Sequence, residues 1–291
     1  MNTNWLRIGL CLLGLSARAQ PAEVVLGTSA GLRAVVRPQQ GGRLASLTLR
    51  GHELLTTPDS EAGRFVWGNS CWTQPQSVWN WPPPKAHDEA PYRIEQQTDT
   101  TLQLTGPADP KTGFQLTKTY RLHRADSSLT VGCTYTNASR EARWMAPWEI
   151  SRSPKGGVVL LRVASVRQSM GFPYLPTRRP DGVMAYAIPP HRQGKGGVKL
   201  NLDADRGWLA YAHRGYLLVK QFTNVPAADL TPNEGDAELY VSQQYDYLEL
   251  EETGRYQLVK PGQSVPFEVR WSVRKLPADW SVGEALPVRL D

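Results

Sequence analysis

Four of the chain's ten tryptophans fall in one irregular stretch, as Trp67, Trp72, Trp79 and Trp81, and Pro82-Pro83-Pro84 closes it. The amides of Asn69, Gln74, Gln76 and Asn80 are interleaved with the rings. Flat apolar plates beside amide donors and acceptors suit a sugar, whose C–H groups pack on an indole while its rim hydroxyls bond to the amides. Prolines stiffen the loop and lower the entropy cost of holding it. This reading expects a ligand platform of Trp79, Trp81 and Trp148, flanked by Trp72 and Arg152, with Gln74, Gln76 and Asn80 reading hydroxyls. The competing reading is a loop folded under itself as a small satellite core.

Carboxylates are the best candidates for proton transfer. Glu149 follows an aromatic in Pro147-Trp148-Glu149-Ile150, and Glu238 lies in Ala237-Glu238-Leu239-Tyr240. A glutamate on a strand with apolar neighbours is partly desolvated, which raises its pKa toward that of a useful general base. For both residues an exposed carboxylate on a polar sheet face is the alternative. Glu249 and Glu251 alternate with Leu248 and Leu250, so they are expected on the solvated face. The five histidines are scattered, with neither His-x-His nor His-Glu-x-x-His spacing, so no metal site is expected and no cofactor is implied. Gly-x-Ser-x-Gly is absent, and Gly194-Lys195-Gly196-Gly197 lacks the spacing of a phosphate-binding loop.

The elements that must position these groups are strands. Leu129, Val131, Cys133 and Tyr135 alternate with polar or small residues after the alternating run Leu116 to Leu122, which reads as a hairpin. Trp208 to Ala212 and Leu217 to Phe222 flank His213-Arg214-Gly215 as another, and Ala237 to Val241 pairs with Tyr245 to Leu250. Val265, Phe267, Val269, Trp271 and Val273 form the cleanest strand and are expected to line the interior. Helical periodicity is missing throughout. The class is all-β, a large antiparallel two-sheet sandwich, with the Arg- and Pro-rich 160s to 190s read as loops on its face.

Arg7, the apolar run Ile8 to Leu15 and Ala17-Arg18-Ala19 form the three parts of an export signal too short to span a bilayer. Residues 1–19 are therefore expected to be removed, leaving residues 20–291 as one domain, periplasmic or secreted, with no membrane association after cleavage. Net charge falls from +6 to +4 with Arg7 and Arg18 gone, and the remaining basic residues are mixed with acids. That argues against a nucleic-acid partner and is compatible with glycans. Cys71 and Cys133 leave room for one optional disulfide.

Gly41-Gly42-Arg43-Leu44-Ala45-Ser46-Leu47, followed by Gly51-His52-Glu53-Leu54-Leu55, is similar to the opening of galactose mutarotase-like (aldose 1-epimerase-like) proteins. The later stretches Tyr135-Thr136-Asn137, Pro147 to Ser151, Gly196 to Leu200, Gly207 to Tyr211 and Tyr247 to Glu251, through Lys260-Pro261-Gly262 to Val269-Arg270-Trp271, resemble a bacterial branch of that superfamily described as a domain of unknown function. The resemblance spans nearly the whole chain after the signal. It implies a β-supersandwich with a carbohydrate site on a concave sheet. It also implies a glutamate base, which falls at Glu238, and a histidine acid in an Asn-His-x-Tyr-Phe pattern, where this chain has Trp148-Glu149. The first expectation is thus an exported carbohydrate-binding protein taking a mono-, oligo- or polysaccharide. The second is an aldose epimerase or polysaccharide-processing enzyme with Glu238 or Glu149 as base and His87, His191 or Tyr211 as acid. The third is a structural sandwich whose tryptophan loop docks a protein partner.

Overall fold

A computed structural model describes residues 20–59, 63, 65–126, 128–284 and 286. The expected export signal lies outside the described residues. Among the described residues strands dominate, and helix is confined to one short turn, Lys85–Asp88, and two 3-10 turns. Four strands, Val24–Gly27, Leu32–Arg37, Arg43–Leu49 and His52–Glu53, make a small sheet. The large sheet runs antiparallel through Gln257–Val259, Arg143–Ser153, Leu248–Thr253, Ala237–Ser242, Gly197–His213, Tyr216–Gln221, Ser264–Lys275, Ser128–Asn137, Phe114–His123, Thr101–Ala108 and Arg93–Gln97. Asn69–Gln74 adds to Arg143–Ser153, which places the tryptophan stretch beside that strand.

One strand turns this sheet into a sandwich. Residues 197–202 of Gly197–His213 pair with Ala237–Ser242, whereas residues 208–213 pair with Tyr216–Gln221. The exchange of partners occurs around Gly207, where a Cβ would stand 2.1 Å from the Phe222 carbonyl oxygen, so only glycine lets the two backbones approach. Asp236 braces the same corner, accepting from the amides of Ala204 and Val225. The two halves then lie face to face, since Lys220 of Tyr216–Gln221 reaches Glu149 and Glu252 on the other half.

Between the layers lies a continuous apolar core with members from Val24 to Leu276. The alternating residues of Ser264–Lys275 enter it as expected: Phe267, Val269, Trp271 and Val273 are buried and Val265 packs against it. Such side chains contribute ~1.5–3 kcal/mol each when fully buried. The hairpins expected from alternation also form. The 160s to 190s differ from expectation. They contain a thirteen-residue strand, Val158–Met170, and the short strands Thr177–Arg178 and Met184–Ala187. Three register shifts along Val158–Met170 break its period-two pattern, which hides the strand from sequence inspection.

Candidate functional site

The ladder register sorts the candidate residues onto two opposite faces of one sheet. Glu251 stands opposite Glu238 on one side and Ile150 on the other, Asn201 is opposite Glu238, and Ile150 is opposite Ser70. The neighbouring rows on that face are Lys199, Tyr240, Glu249 and Arg152, and then Thr253, Trp148 and Trp72. We call this the concave face, after the sheet to which the sequence resemblance assigns the carbohydrate site. Because side chains alternate along a strand, Glu149, Ser151 and Glu252 point the other way, into the sandwich.

Lys199 is the centre of the concave face. Its Nζ lies 2.7 Å from a Glu238 carboxylate oxygen and 3.1 Å from Glu251, and 4.8 Å from the centroid of the Trp148 ring. Gln74 Nε2 donates to Glu238 at 3.0 Å, as does the Gly235 amide at 3.1 Å. Trp148 Nε1 donates to Glu251 at 2.9 Å. Asn201 donates to the Glu234 carboxylate at 2.8 Å and to the Asn233 carbonyl at 3.0 Å, which ties the 231–236 loop to the site. Arg152 bonds Glu249 at 2.7 Å and Ser70 Oγ at 3.1 Å, with its guanidinium 5.2 Å from the Trp72 ring centroid.

Two carboxyls under one ammonium acquire opposite tendencies. Burial pushes the Glu238 carboxyl up, but Lys199 more than offsets this and holds it below the usual range. Burial drives Glu251 well above its usual value, with Lys199 opposing and Glu238 reinforcing. Burial also works against the charge on Lys199, yet Glu238 and Glu251 outweigh it and hold the ammonium above the ordinary lysine range. Nearby, burial and then Glu238 push Glu234 up to about 7, and burial pushes Asp236 to about 6. Two neighbouring carboxyls are thus pushed in opposite directions by burial and one shared ammonium.

The tryptophans divide sharply. Trp72, Trp79 and Trp148 pack with Ile150 as a cluster of their own, the rings edge to face at 5.4 Å between Trp72 and Trp148 and 5.5 Å between Trp72 and Trp79. Their N–H groups are satisfied internally, by Asp88 for Trp72, by the Thr73 carbonyl for Trp79 and by Glu251 for Trp148. The expected three-ring platform is corrected here: Trp79 and Trp148 are interior, and Trp81, 56% exposed and 6.3 Å from Trp72, is the ring that faces solvent. The satellite-core reading describes Trp72, Trp79 and Trp148. The cause is Asp88, itself anchored by the buried Arg43 at 3.0 Å, which pins the Trp72 indole downward.

The other candidates scatter. Glu149 faces the interior, where Lys220 Nζ lies 2.7 Å from it and 2.5 Å from Glu252, so as a proton acceptor for a ligand on the concave face it is misplaced. Gln74 joins the site, whereas Gln76 opens a 3-10 turn and Asn80 is exposed at the end of it. His191 is exposed, and its carbonyl accepts from Lys155. His87 is fully buried against the Phe114 carbonyl, and burial lowers its pKa to about 4. The Tyr211 hydroxyl donates to the Pro154 carbonyl at 2.7 Å. Among the described residues no histidine contacts Glu238 or Glu251. Sequence reasoning missed Lys199 and Asn201. Both alternate with Val198, Leu200 and Leu202, and that pattern could have flagged them as a polar row. Glu249 and Glu251 do point away from the leucines, but Glu251 is 1% exposed, so the polar face is covered rather than solvated.

Comparison with known proteins follows the same fold. A crystal structure of a putative aldose 1-epimerase from Escherichia coli K12 superposes with a TM-score of 0.60 at 15% identity, covering 87% of this chain and 99% of that one. A galactose mutarotase-like protein from Lactobacillus casei gives 0.59 at 15% identity, covering 87% and 100%. The GalM/aldose epimerase homologue from Caenorhabditis elegans gives 0.59 at 10%, covering 88% and 99%. Nothing among the curated proteins matches the sequence. The fold is therefore galactose mutarotase-like. Residues 7–274 match the family described as "Domain of unknown function (DUF4380)", and the chain belongs to that family.

Proposed function

We propose that the protein binds a carbohydrate on the concave face. The observation that carries this reading is the gathering of Glu238, Glu251 and Gln74 around Lys199, whose ammonium lies 4.8 Å from the Trp148 ring centroid. Charged and amide groups of this kind accept and donate to sugar hydroxyls, while an exposed aromatic ring takes a C–H face. A ligand meets the site at Lys199 and Glu249, whose side chains are each 14% exposed, beside the half-buried Tyr240. Trp81 supplies an exposed ring at the edge of the tryptophan cluster. Solved proteins of the same fold described as a putative aldose 1-epimerase and an aldose epimerase homologue support a sugar as the ligand class. The signal-like pattern of residues 1–19 supports export with release after Ala19, which intact-mass measurement of the mature protein checks.

A glycan array followed by titration calorimetry tests the binding. Losing a hydrogen bond to a charged group costs ~1.5–3 kcal/mol, so Lys199→Gln is expected to weaken affinity by at least about tenfold. A folded Lys199→Gln protein with unchanged affinity would place the sugar elsewhere. A second reading, an epimerase or polysaccharide-processing enzyme on the same face, is favoured by one observation: the opposed shifts of Glu238 and Glu251 under Lys199.

A further inference from the structure

The strand that carries Trp148 and Arg152 also carries Trp144, on the same face by alternation. Met145 on the opposite face joins the core, which confirms the parity at that end. Trp144 lies four positions before Trp148, or ~13 Å along a strand. Unlike Trp148, Trp144 is 54% exposed. Its ring stacks on Tyr256 with centroids 5.1 Å apart and planes 28° from parallel, so a second aromatic fixes its orientation. Leu258, opposite Trp144 in the ladder, is 45% exposed.

These side chains border a hollow of about 470 Å³. Its wall includes Gln257 and the Asp229–Arg255 ion pair, 3.2 Å apart. Fixed aromatic plates beside an amide, a carboxylate and a guanidinium repeat the chemistry of the Lys199 region. One loop joins the two regions. Leu230 and Pro232 line the hollow, while Asn233 and Glu234 accept from Asn201 and the Gly235 amide bonds Glu238. The 230–235 loop therefore borders both the hollow beside Trp144 and the Glu238 carboxylate.

We infer that Trp144 and Tyr256 form a second subsite, and that the ligand is a chain of linked sugars rather than a single ring. This rests on the concave-face reading above. A spacing of ~13 Å exceeds one pyranose, so a single ring cannot reach both the Lys199 ammonium, which lies over Trp148, and the Trp144 ring, whereas an oligosaccharide lying along the strand can. Avidity between linked sites raises affinity without altering either contact.

The test uses the full mature protein and an array of glycans from monosaccharide to hexasaccharide, with affinities measured by calorimetry for those retained. The wild type is expected to bind hexamers at least about tenfold more tightly than the monomer. In Trp144→Ala, and in Trp144→Ala with Tyr256→Ala, that ratio falls toward one while the melting temperature holds, since Trp144 is exposed. Lys199→Gln weakens every length. If affinity does not rise with length, or if the Trp144 variants keep the full gain, the subsite is overturned and the concave-face reading stands. If no glycan of any length binds, both fall together.

Discussion

Replacing Lys220 by methionine should separate the interior charges from the functional face. Lys220 Nζ lies 2.7 Å from Glu149 and 2.5 Å from Glu252, and it also donates to Ser151 Oγ at 2.8 Å and the Leu250 carbonyl at 3.0 Å. All three charged side chains are at most 2% exposed. At an effective dielectric of about 20 each ion pair is worth roughly 6 kcal/mol of Coulomb energy, but desolvating each ion costs several kcal/mol, so the net is far smaller than the sum. Removing one partner from such a site costs ~3–5 kcal/mol, because the remaining charges stay buried without a counter-ion. The pH dependence has a definite sign. Burial, then Glu149, hold the Glu252 carboxyl well above its usual 4.5, and Lys220 pulls it back. A folded carboxyl with a raised pKa binds more protons than the unfolded chain, so stability is present at low pH and lost as pH rises above 4.5 toward the folded value. Lys220→Met extends that window upward, at up to ~1.4 kcal/mol per pH unit. Urea melts at pH 5 and pH 8 should therefore show a larger deficit at pH 8. A loss below about 1 kcal/mol, equal at both pH values, would refute the reasoning. Glycan affinity of the folded variant should match the wild type, since these groups face away from Lys199.

Trp79→Ala should cost ~3–5 kcal/mol because the ring is 1% exposed, whereas Trp81→Ala should leave the denaturation midpoint nearly unchanged and lower glycan affinity; calorimetry beside urea melts reads both. Phe267→Ala should cost ~3–5 kcal/mol, and a loss under about 1 kcal/mol in urea would place that side chain outside the core. Exchange between the anomers of glucose or galactose should run no faster with this protein than in buffer, because a positioned acid is typically worth ~10²–10⁴ in rate and no histidine reaches Glu238. Polarimetry reads that rate, and acceleration that vanishes in Glu238→Gln would establish epimerase chemistry instead.

Period-two alternation decided the regular strands and, with them, the parity of their side chains. Glu249 and Glu251 stand opposite the leucines, and Phe267 to Val273 enter the core, because alternation is local and independent of what packs nearby. What covers each face is non-local, and only the tertiary structure decided it. Glu149 and Glu238 look alike as sequence, yet one meets Lys220 inside the sandwich and the other meets Lys199 on the concave face, because their strands pair one register step apart. Trp79 and Trp81 are near neighbours in one proline-rich loop, but the Thr73 carbonyl draws one inward while the other stays in solvent. The strand Val158–Met170 escaped notice because its bulges erase the alternation by which a strand is read. Lys199 acquires meaning only when strands distant in sequence bring Glu238, Glu251 and Trp148 around it, an arrangement that no local pattern encodes.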